Sequence, residues 1–146
     1  MKLMGRIKKL MRRIKYLVRL LIHFGSHRYC PVCEKSSRVF LRCGRPRRPD
    51  GKCPKCESRE RHRLAILFLR EKTNLFDGRA KRFLHVAPEL AFVPIFAKAA
   101  GDGYLSVDLV SENVMEKMDI TDIQYSDESF DIIYCSHVLE HVSDDR

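Results

Sequence analysis

Two Cys-x2-Cys pairs constrain the fold of this chain more than any other feature. Cys30 and Cys33 form the first pair, and Cys53 and Cys56 form the second after nineteen intervening residues. Each pair is a turn that directs two thiolates to one point, and two such turns complete a tetrahedral zinc site. A segment of about 30 residues has too small a core to fold alone, so bound metal supplies its folding free energy. We therefore predict a structural Zn2+ in a zinc-ribbon-like module over residues 28–63.

The sequence between and after the pairs predicts short local elements. Residues 36–42 favour a short strand, and residues 48–51, Arg-Pro-Asp-Gly, are typical of a turn. Cys43 is interpreted as a buried neighbour of the cluster rather than a fifth ligand. Ser58 is a candidate N-cap for a helix that leads into a bridging segment over residues 64–82.

Charge is spread unevenly, which indicates two units with different partners. Residues 1–82 hold 25 Lys and Arg against 6 Asp and Glu, a net charge of +19, whereas residues 83–146 hold 3 against 13, a net charge of −10. Arg19 and His23 interrupt the apolar segment that a secretory signal would need. We therefore predict a cytoplasmic protein whose six cysteines are metal ligands or buried thiols rather than disulfides.

The first 27 residues predict a basic amphipathic helix. Their apolar residues follow alternating steps of four and three, which places one stripe along a helix of about six turns. The stripe consists of Leu3, Ile7, Leu10, Ile14, Leu17, Leu21 and Phe24. The other faces carry Lys2, Arg6, Lys8, Lys9, Arg12, Arg13, Lys15 and Arg19, and no acidic residue occurs before Glu34.

Three interpretations of this helix stay open. Residues 1–25 could lie on an anionic membrane surface as a peripheral anchor, because the apolar face partitions while Lys and Arg attract the headgroups. The stripe could instead dock on the rest of the protein or on a second copy. The basic residues could also contact nucleic-acid phosphates or act in organelle targeting. Nucleic acid is the weaker partner hypothesis for the zinc module too, because no aromatic is interleaved among its arginines, Arg45, Arg47, Arg48, Arg59, Arg61 and Arg63.

From Arg82 onward the pattern changes to short apolar runs that alternate with a helical segment. The runs fall at residues 82–88, 104–109 and 129–135, with a third strand segment at 116–120 between the last two. Residues 89–103 have helical character with glycines at their end. Such alternation predicts a parallel sheet with crossover connections. Asp108 ends the second predicted strand, 21 residues after Ala87, which is the spacing at which nucleotide-binding folds place a carboxylate for ribose hydroxyls.

Two stretches carry a specific resemblance, Tyr-Leu-Ser-Val-Asp-Leu at 104–109 and the run from Met118 to Asp145 that contains Ser-Phe-Asp and Leu-Glu-His. They resemble the class I S-adenosylmethionine-dependent methyltransferases, in particular the type 11 group. The chain is also similar to a bacterial group that joins a paired Cys-x2-Cys module, an Arg-x-Arg-His-Arg helix and a Leu-His-x-Ala-Pro-Glu loop to that fold. The resemblance covers roughly residues 28–146.

The resemblance implies an α/β fold class, a Rossmann-like partial parallel sheet of about four strands over residues 83–146. It is preceded by the zinc-ribbon module and the amphipathic helix. It implies S-adenosylmethionine as cofactor and an unidentified methyl acceptor as partner. Because the family sheet normally has seven strands, we expect a truncated chain that lacks much of the acceptor pocket. The alternative function is a non-catalytic zinc-ribbon adaptor that binds nucleic acid or anionic membrane.

The resemblance also implies which residues bind the cofactor, while catalytic residues stay unknown. The first loop has no glycine, so Pro88 is expected in the first turn of a helix whose N–H groups meet the cofactor carboxylate. Glu89 is expected to accept from the cofactor ammonium. The implied cofactor-binding residues are Ala87, Pro88, Glu89, Asp108, Leu109, Asp119, Ile120, Ser136 and His137.

His137, Glu140 and His141 match the H-x-x-E-H spacing of one class of zinc peptidase. That class needs its histidine pair on a long helix, whereas here a β-branched strand from Phe130 to Tyr134 leads directly into His137. We interpret the match as coincidental. His137 is the best candidate for a general base, although a capping or cofactor-lining role suits it better.

Overall fold

A computed structural model describes residues 2–142. The chain divides into two compact units, Met1–Phe68 and Leu69–Arg146, so the boundary lies within a helix. The finer division predicted from the sequence, into residues 1–27, 28–63, 64–82 and 83–146, stays a prediction. Met1 and residues 143–146 of that prediction lie outside the described residues.

The first unit begins with helix α1, Lys2–Ile22, which confirms the predicted helix. The structure does not describe several side chains of this helix. They are those of Leu3 in the predicted stripe and of Lys2, Arg6, Lys8, Lys9 and Arg12. No helix among the described residues has the length and apolar character needed to cross a lipid bilayer.

Two short antiparallel hairpins follow α1. Strand β1, Arg28–Cys30, pairs with β2, Lys35–Ser37, and strand β3, Leu41–Cys43, pairs with β4, Arg48–Lys52, across a bulge. Helix α2, Glu60–Lys72, completes the unit and continues past its boundary.

The structure corrects two predicted elements of these hairpins. The predicted strand at 36–42 is broken, because Arg38 donates its backbone N–H to the His23 carbonyl at 3.0 Å instead of to a neighbouring strand. The turn predicted at 48–51 is part of β4, and the chain reverses at residues 44–47 instead. Gly44 takes a φ of 88° there, which glycine adopts without strain.

The second unit is built on a four-stranded parallel sheet. Its strands are β5, Phe83–Val86, β6, Tyr104–Asp108, β7, Glu116–Lys117, and β8, Ile132–Cys135, in the order β7-β6-β5-β8. All three pairings are parallel. The sheet confirms the predicted fold class, a Rossmann-like partial parallel sheet.

The core of this unit lies along β5, all four of whose residues are buried. On one flank, the Phe83 ring packs 4.9 Å from Phe96 of helix α3, Val93–Ala100. A second cluster joins the apolar residues of the strands, Leu84, Val86, Val107 and Met118. A central strand buried on both faces is typical of parallel sheets.

Helix α3 begins later than the sequence predicted. Glu89 accepts from the backbone N–H groups of Phe92 and Val93 at 2.8 and 3.3 Å, so a turn precedes the helix. Pro94 occupies its first turn, and the prediction that Pro88 would do so is wrong. After α3 the short 3-10 helix Gly101–Gly103 leads into β6. Gly103 lies so close to the preceding chain that a Cβ there would be 2.0 Å from the Lys81 carbonyl oxygen, which is a steric clash.

Candidate functional site

The strand order of the second unit produces a crevice at one place on the sheet. From β5 the chain adds β6 and β7 on one side and then β8 on the other, so the connections diverge at the carboxyl end of β5. Ligands of open α/β sheets bind at such a switch point. A cleft of about 440 Å³ lies there, lined by Val86, Ala87, Asp108, Leu109, Val110, Met118, Asp119, Ile120, Thr121, His137, Val138, His141 and Val142.

The cleft brings together six of the nine residues predicted to bind the cofactor. These are Ala87, Asp108, Leu109, Asp119, Ile120 and His137, which follow four different strands. Pro88, Glu89 and Ser136 are not among the lining residues. Thr121 and Val138 line the cleft without having been predicted, and each lies one residue beyond a predicted position.

Asp108 presents a preorganised carboxylate at the end of β6. Its Oδ1 accepts from the backbone N–H groups of Val110 and Ser111 at 2.8 and 2.7 Å, which fixes the orientation of the side chain. Oδ2 hydrogen-bonds to none of the described residues. The carboxylate therefore has one oxygen held by the loop and one available to a ligand's hydroxyl groups.

Ala87 takes the backbone conformation that a glycine would favour. Its φ is 46°, and its N–H donates to the Val107 carbonyl at 2.8 Å, which joins the loop to β6. His137, after the neighbouring strand β8, has a φ of 58°. The left-handed region costs a residue with a Cβ about 1–2 kcal/mol. Two such residues flank the switch point, so the backbone turns sharply on both sides of the cleft.

Glu89 lies beside a buried histidine. Its Oε2 is 3.7 Å from Nε2 of His85, which is fully buried. His85 Nδ1 lies 2.9 Å from the hydroxyl oxygen of Tyr104, and burial raises the pKa of Tyr104 above its ordinary value. The His85 ring also meets Tyr134 edge-on at 5.4 Å. The ammonium-binding role predicted for Glu89 stays a prediction to which this placement adds no support.

Asp119 lines the cleft beyond the end of β7, the strand beside β6. Its Oδ1 accepts from the backbone N–H of Thr121 at 2.9 Å and from its hydroxyl at 2.7 Å, and the backbone bond is the larger cause that lowers the pKa of Asp119. Ile120 follows it with apolar surface on the cleft. This pairing of a carboxylate with an aliphatic side chain suits a ligand with both polar and planar parts.

The histidine motif after β8 has no metal-binding geometry. His137 Nδ1 pairs with Glu140 Oε1 at 3.1 Å, and this hydrogen bond lowers the pKa of Glu140. Leu139–His141 forms a single 3-10 turn rather than a long helix. Across residues 2–142, the four paired cysteines are the only His, Cys, Asp or Glu group placed to hold a metal ion.

A family model described as "Methyltransferase domain" matches residues 78–146. Residues 78–146 are similar to this methyltransferase family. The matched range contains all four strands of the parallel sheet and the cleft at their carboxyl ends. The match favours the methyltransferase interpretation over the adaptor. No curated protein and no solved structure matches the chain.

The four paired cysteines converge in the unit that precedes the methyltransferase domain. The sulfur atoms of Cys30 and Cys56 are 3.7 Å apart, those of Cys33 and Cys53 are 3.9 Å apart, and all four lie within 4.8 Å of one another. Zinc–sulfur bonds of about 2.3 Å in a tetrahedron place sulfurs about 3.8 Å apart. The spacing of the thiols therefore fits a tetrahedral zinc ion.

The thiols interact with one another and with the backbone around them. Hydrogen bonding with Cys33 lowers the pKa of Cys30, and the same contact raises the pKa of Cys33. Lys55 directs its backbone N–H to the Cys53 sulfur at 3.4 Å. Cys43 lies outside the cluster, as predicted, but it is half-buried rather than buried.

Ser58 is part of this centre, which the sequence interpretation missed. Its Oγ lies 3.2 Å from the Cys30 sulfur and 3.1 Å from the Cys56 sulfur, so it does not act as the predicted N-cap. His62 Nδ1 instead accepts from the Arg59 backbone N–H at 3.3 Å at the start of α2. A hydroxyl that reaches two sulfurs can donate to a thiolate and orient it.

A short repeat in the sequence could have predicted the geometry of the two cysteine turns. Cys-Pro-x-Cys-Glu occurs at residues 30–34 and again at 53–57. In each copy the glutamate N–H donates to the carbonyl of the first cysteine, at 2.8 Å for Glu34 and 3.0 Å for Glu57. Both glutamates have left-handed φ values, 56° and 64°. The two turns are therefore copies of one local structure.

Proposed function

We propose that the methyltransferase domain binds S-adenosylmethionine in the cleft and transfers its methyl group to an acceptor that is still unidentified. When bound, this cofactor supplies an electrophilic methyl group on a sulfonium. The observation that carries the proposal is Asp108, whose carboxylate is held at the switch point with Oδ2 available. The family match over residues 78–146 supports methyl transfer, and the cleft supports the choice of donor.

The residues of the cleft fit the parts of this cofactor. Asp108 Oδ2 can accept from the ribose hydroxyls, and Leu109 and Ile120 offer apolar surface for the adenine. The left-handed turn at Ala87 supports the fit at the methionine end of the cofactor. There the loop takes a backbone conformation typical of glycine, and its side chain is only a methyl group. The absence of glycine in the sequence is therefore compatible with a binding loop.

The contribution of the protein to the reaction is positioning. In-line methyl transfer needs the acceptor held near the methyl carbon and water excluded. Alignment of the reacting atoms can by itself lower the activation free energy by a large amount. Asp108 fixes the cofactor from one side of the cleft, and the chain after β8 forms the other wall through His137 and Val138. We assign no general base.

Calorimetric titration of the full chain with S-adenosylmethionine tests this function. Asp108→Ala should weaken binding about ten- to a hundredfold, because charge-assisted hydrogen bonds to a desolvated ligand contribute roughly 1.5–3 kcal/mol. Asp119→Ala should weaken it less. Asp102→Ala is the matched control, since Asp102 is exposed and precedes β6 instead of following it. Equal binding by the Asp108 and Asp102 variants, or no binding by the natural chain, contradicts the proposal.

We also propose that Cys30, Cys33, Cys53 and Cys56 hold one structural Zn2+. Two sulfur–sulfur distances near the tetrahedral value support it, as does the contact of Ser58 with two of the sulfurs. Four sulfur ligands leave zinc no open position for a substrate or water. The role of the metal is therefore to stabilise the first unit.

A further inference from the structure

Helix α1 exposes its apolar stripe along the whole of its described length. Exposure runs from 45% at Ile14 to 80% at Phe24 just beyond the helix, and Leu21 is 76% exposed. Apolar residues beside the stripe are exposed as well, namely Met11, Val18 and Ile22. A continuous apolar surface of this length marks an interaction site rather than ordinary surface composition.

The helix contacts its own unit through the opposite face. Arg19 forms an ion pair with Glu57, a residue of the turn after the second cysteine pair. Arg19, Leu20 and His23 are half-buried, and the His23 carbonyl accepts from the Arg38 N–H at 3.0 Å. The unit therefore holds the end of α1 by its polar side, and the apolar stripe stays directed to solvent.

The charge of α1 specifies what can cover that stripe. Residues 2–22 contain eight Lys and Arg and no Asp or Glu. Two copies packed stripe to stripe would bring sixteen basic residues together with no acidic residue on either helix, which disfavours a second copy as the occupant. A surface that is apolar inside and anionic outside satisfies both faces of the helix.

We propose that α1 lies in the plane of an anionic phospholipid bilayer, with the stripe from Ile7 to Phe24 inserted below the headgroups. A helix of 21 residues is about 32 Å long, so the stripe presents several leucine and isoleucine side chains to one leaflet. Arg13 and Lys15 are exposed beside it, at the level where phosphatidylserine headgroups lie.

Co-sedimentation of the full chain with vesicles tests the proposal. The vesicles contain phosphatidylcholine with about one third phosphatidylserine, and phosphatidylcholine alone serves as the neutral comparison. Leu17→Ser with Leu21→Ser should lower partitioning into anionic vesicles about a hundredfold, because two apolar side chains no longer gain from burial. Leu64→Ser with Leu67→Ser, equally exposed but on α2, should leave it unchanged.

A second pair of variants separates charge from apolar burial. Arg13→Glu with Lys15→Glu should lower partitioning about thirtyfold, and added salt should weaken binding of the natural chain. Arg45→Glu with Arg47→Glu makes the same change in net charge on an exposed hairpin turn and should have an effect within about twofold.

Several outcomes would overturn the proposal. Equal binding to neutral and anionic vesicles would show that charge has no role. Binding by the Leu17→Ser, Leu21→Ser variant equal to that of the natural chain would show that the stripe has no role. The natural chain could instead fail to bind vesicles, be a dimer by light scattering and become a monomer with the same two substitutions. That result would identify a second copy as the occupant.

Discussion

The two units of this chain are held together by different means. Prolines aside, the first unit has five buried apolar side chains among the described residues, Cys30, Val32, Phe40, Cys53 and Ile66, and two of these are cysteines of the candidate metal centre. The second unit has eleven, Leu69, Leu75, Phe83, Leu84, Val86, Phe92, Phe96, Ala100, Tyr104, Val107 and Met118. If the proposed zinc ion is bound, folding of the first unit depends on that metal, whereas folding of the second depends on apolar burial.

This difference teaches where each unit is vulnerable. Structural zinc contributes about 10–16 kcal/mol in small domains, which exceeds the net stability of most folds. A parallel sheet packed against a helix has no single contact of that size. A substitution in its core therefore lowers the free energy of unfolding in proportion to the side-chain volume removed. Treatments that remove metal and those that create cavities should therefore act on different parts of the chain.

The largest effect should come from Cys53→Ser. Loss of one ligand should abolish stoichiometric zinc and unfold residues 28–68, while hydrogen exchange of β5 and β6 stays slow. Zinc analysis and hydrogen-exchange mass spectrometry measure both parts, and a strong chelator should reproduce the result on the natural chain. Cys43→Ser is the control, because Cys43 lies outside the cluster. Equal zinc in the two variants would exclude Cys53 as a ligand.

The converse change is Phe96→Ala. Phe96 is fully buried and packs within 5.1 Å, between ring centres, of Phe83, Phe92 and Tyr134. Its removal should destabilise the second unit by about 3–5 kcal/mol and leave zinc content unchanged. Hydrogen exchange at increasing urea concentrations measures the loss of stability in each unit separately. Leu90→Ala in the same unit, at a side chain 84% exposed, should have little effect. Zinc loss with Phe96→Ala would show that the two units do not fold separately.

A smaller effect is expected for Ser58→Ala. The variant removes the hydroxyl that contacts two cysteine sulfurs, and loss of such an orienting group typically lowers metal affinity 10–100-fold. Competition with a chromophoric chelator measures the affinity. Ser26→Ala, at an exposed position of the same unit, provides the comparison. If zinc affinity is unchanged while the first unit loses helix content, Ser58 acts as a cap after all.

The smallest effect should come from Ala87→Gly, and its sign is the test. Ala87 has a φ of 46°, so glycine should relieve strain and stabilise the second unit by up to about 1 kcal/mol. Ala97→Gly, in the middle of α3, should instead destabilise it by about 0.5–1 kcal/mol. Urea denaturation of the two variants decides the point. Destabilisation by both would mean that the left-handed turn at Ala87 carries no strain.

Local patterns predicted much of this architecture. The two Cys-x2-Cys turns, the sheet strands and the position of Asp108 follow from spacing and periodicity over a few residues. The predictions failed where a side chain's partner is distant in sequence. Ser58 has the character of a helix cap, but Cys30, 28 residues away, brings its sulfur to the hydroxyl. Residues 36–42 look like one strand, yet Arg38 bonds to His23 instead.

The first loop of the methyltransferase domain combines a local misprediction, at Pro88, with a distant contact, at Ala87. Pro88 is suited to a helix start, but the Glu89 carbonyl takes the N–H groups of Phe92 and Val93, which moves the start of α3 to Val93. Sequence also cannot reveal that Ala87 is left-handed, since alanine rarely adopts that conformation without an imposed contact. Here the contact is the hydrogen bond to Val107.

The sequence by itself determined the identity of the chemistry-bearing residues, namely four cysteines in two turns, a carboxylate at the end of a strand and a basic amphipathic helix. Those features are local, so periodicity and spacing are enough to specify them. Tertiary structure alone decided which of them meet. The order β7-β6-β5-β8 brings Ala87, Asp108 and His137 to one cleft, and the contact of Arg19 with Glu57 leaves the apolar stripe of α1 in solvent. Both outcomes depend on pairings between distant residues, whose free energies exist only in the folded chain.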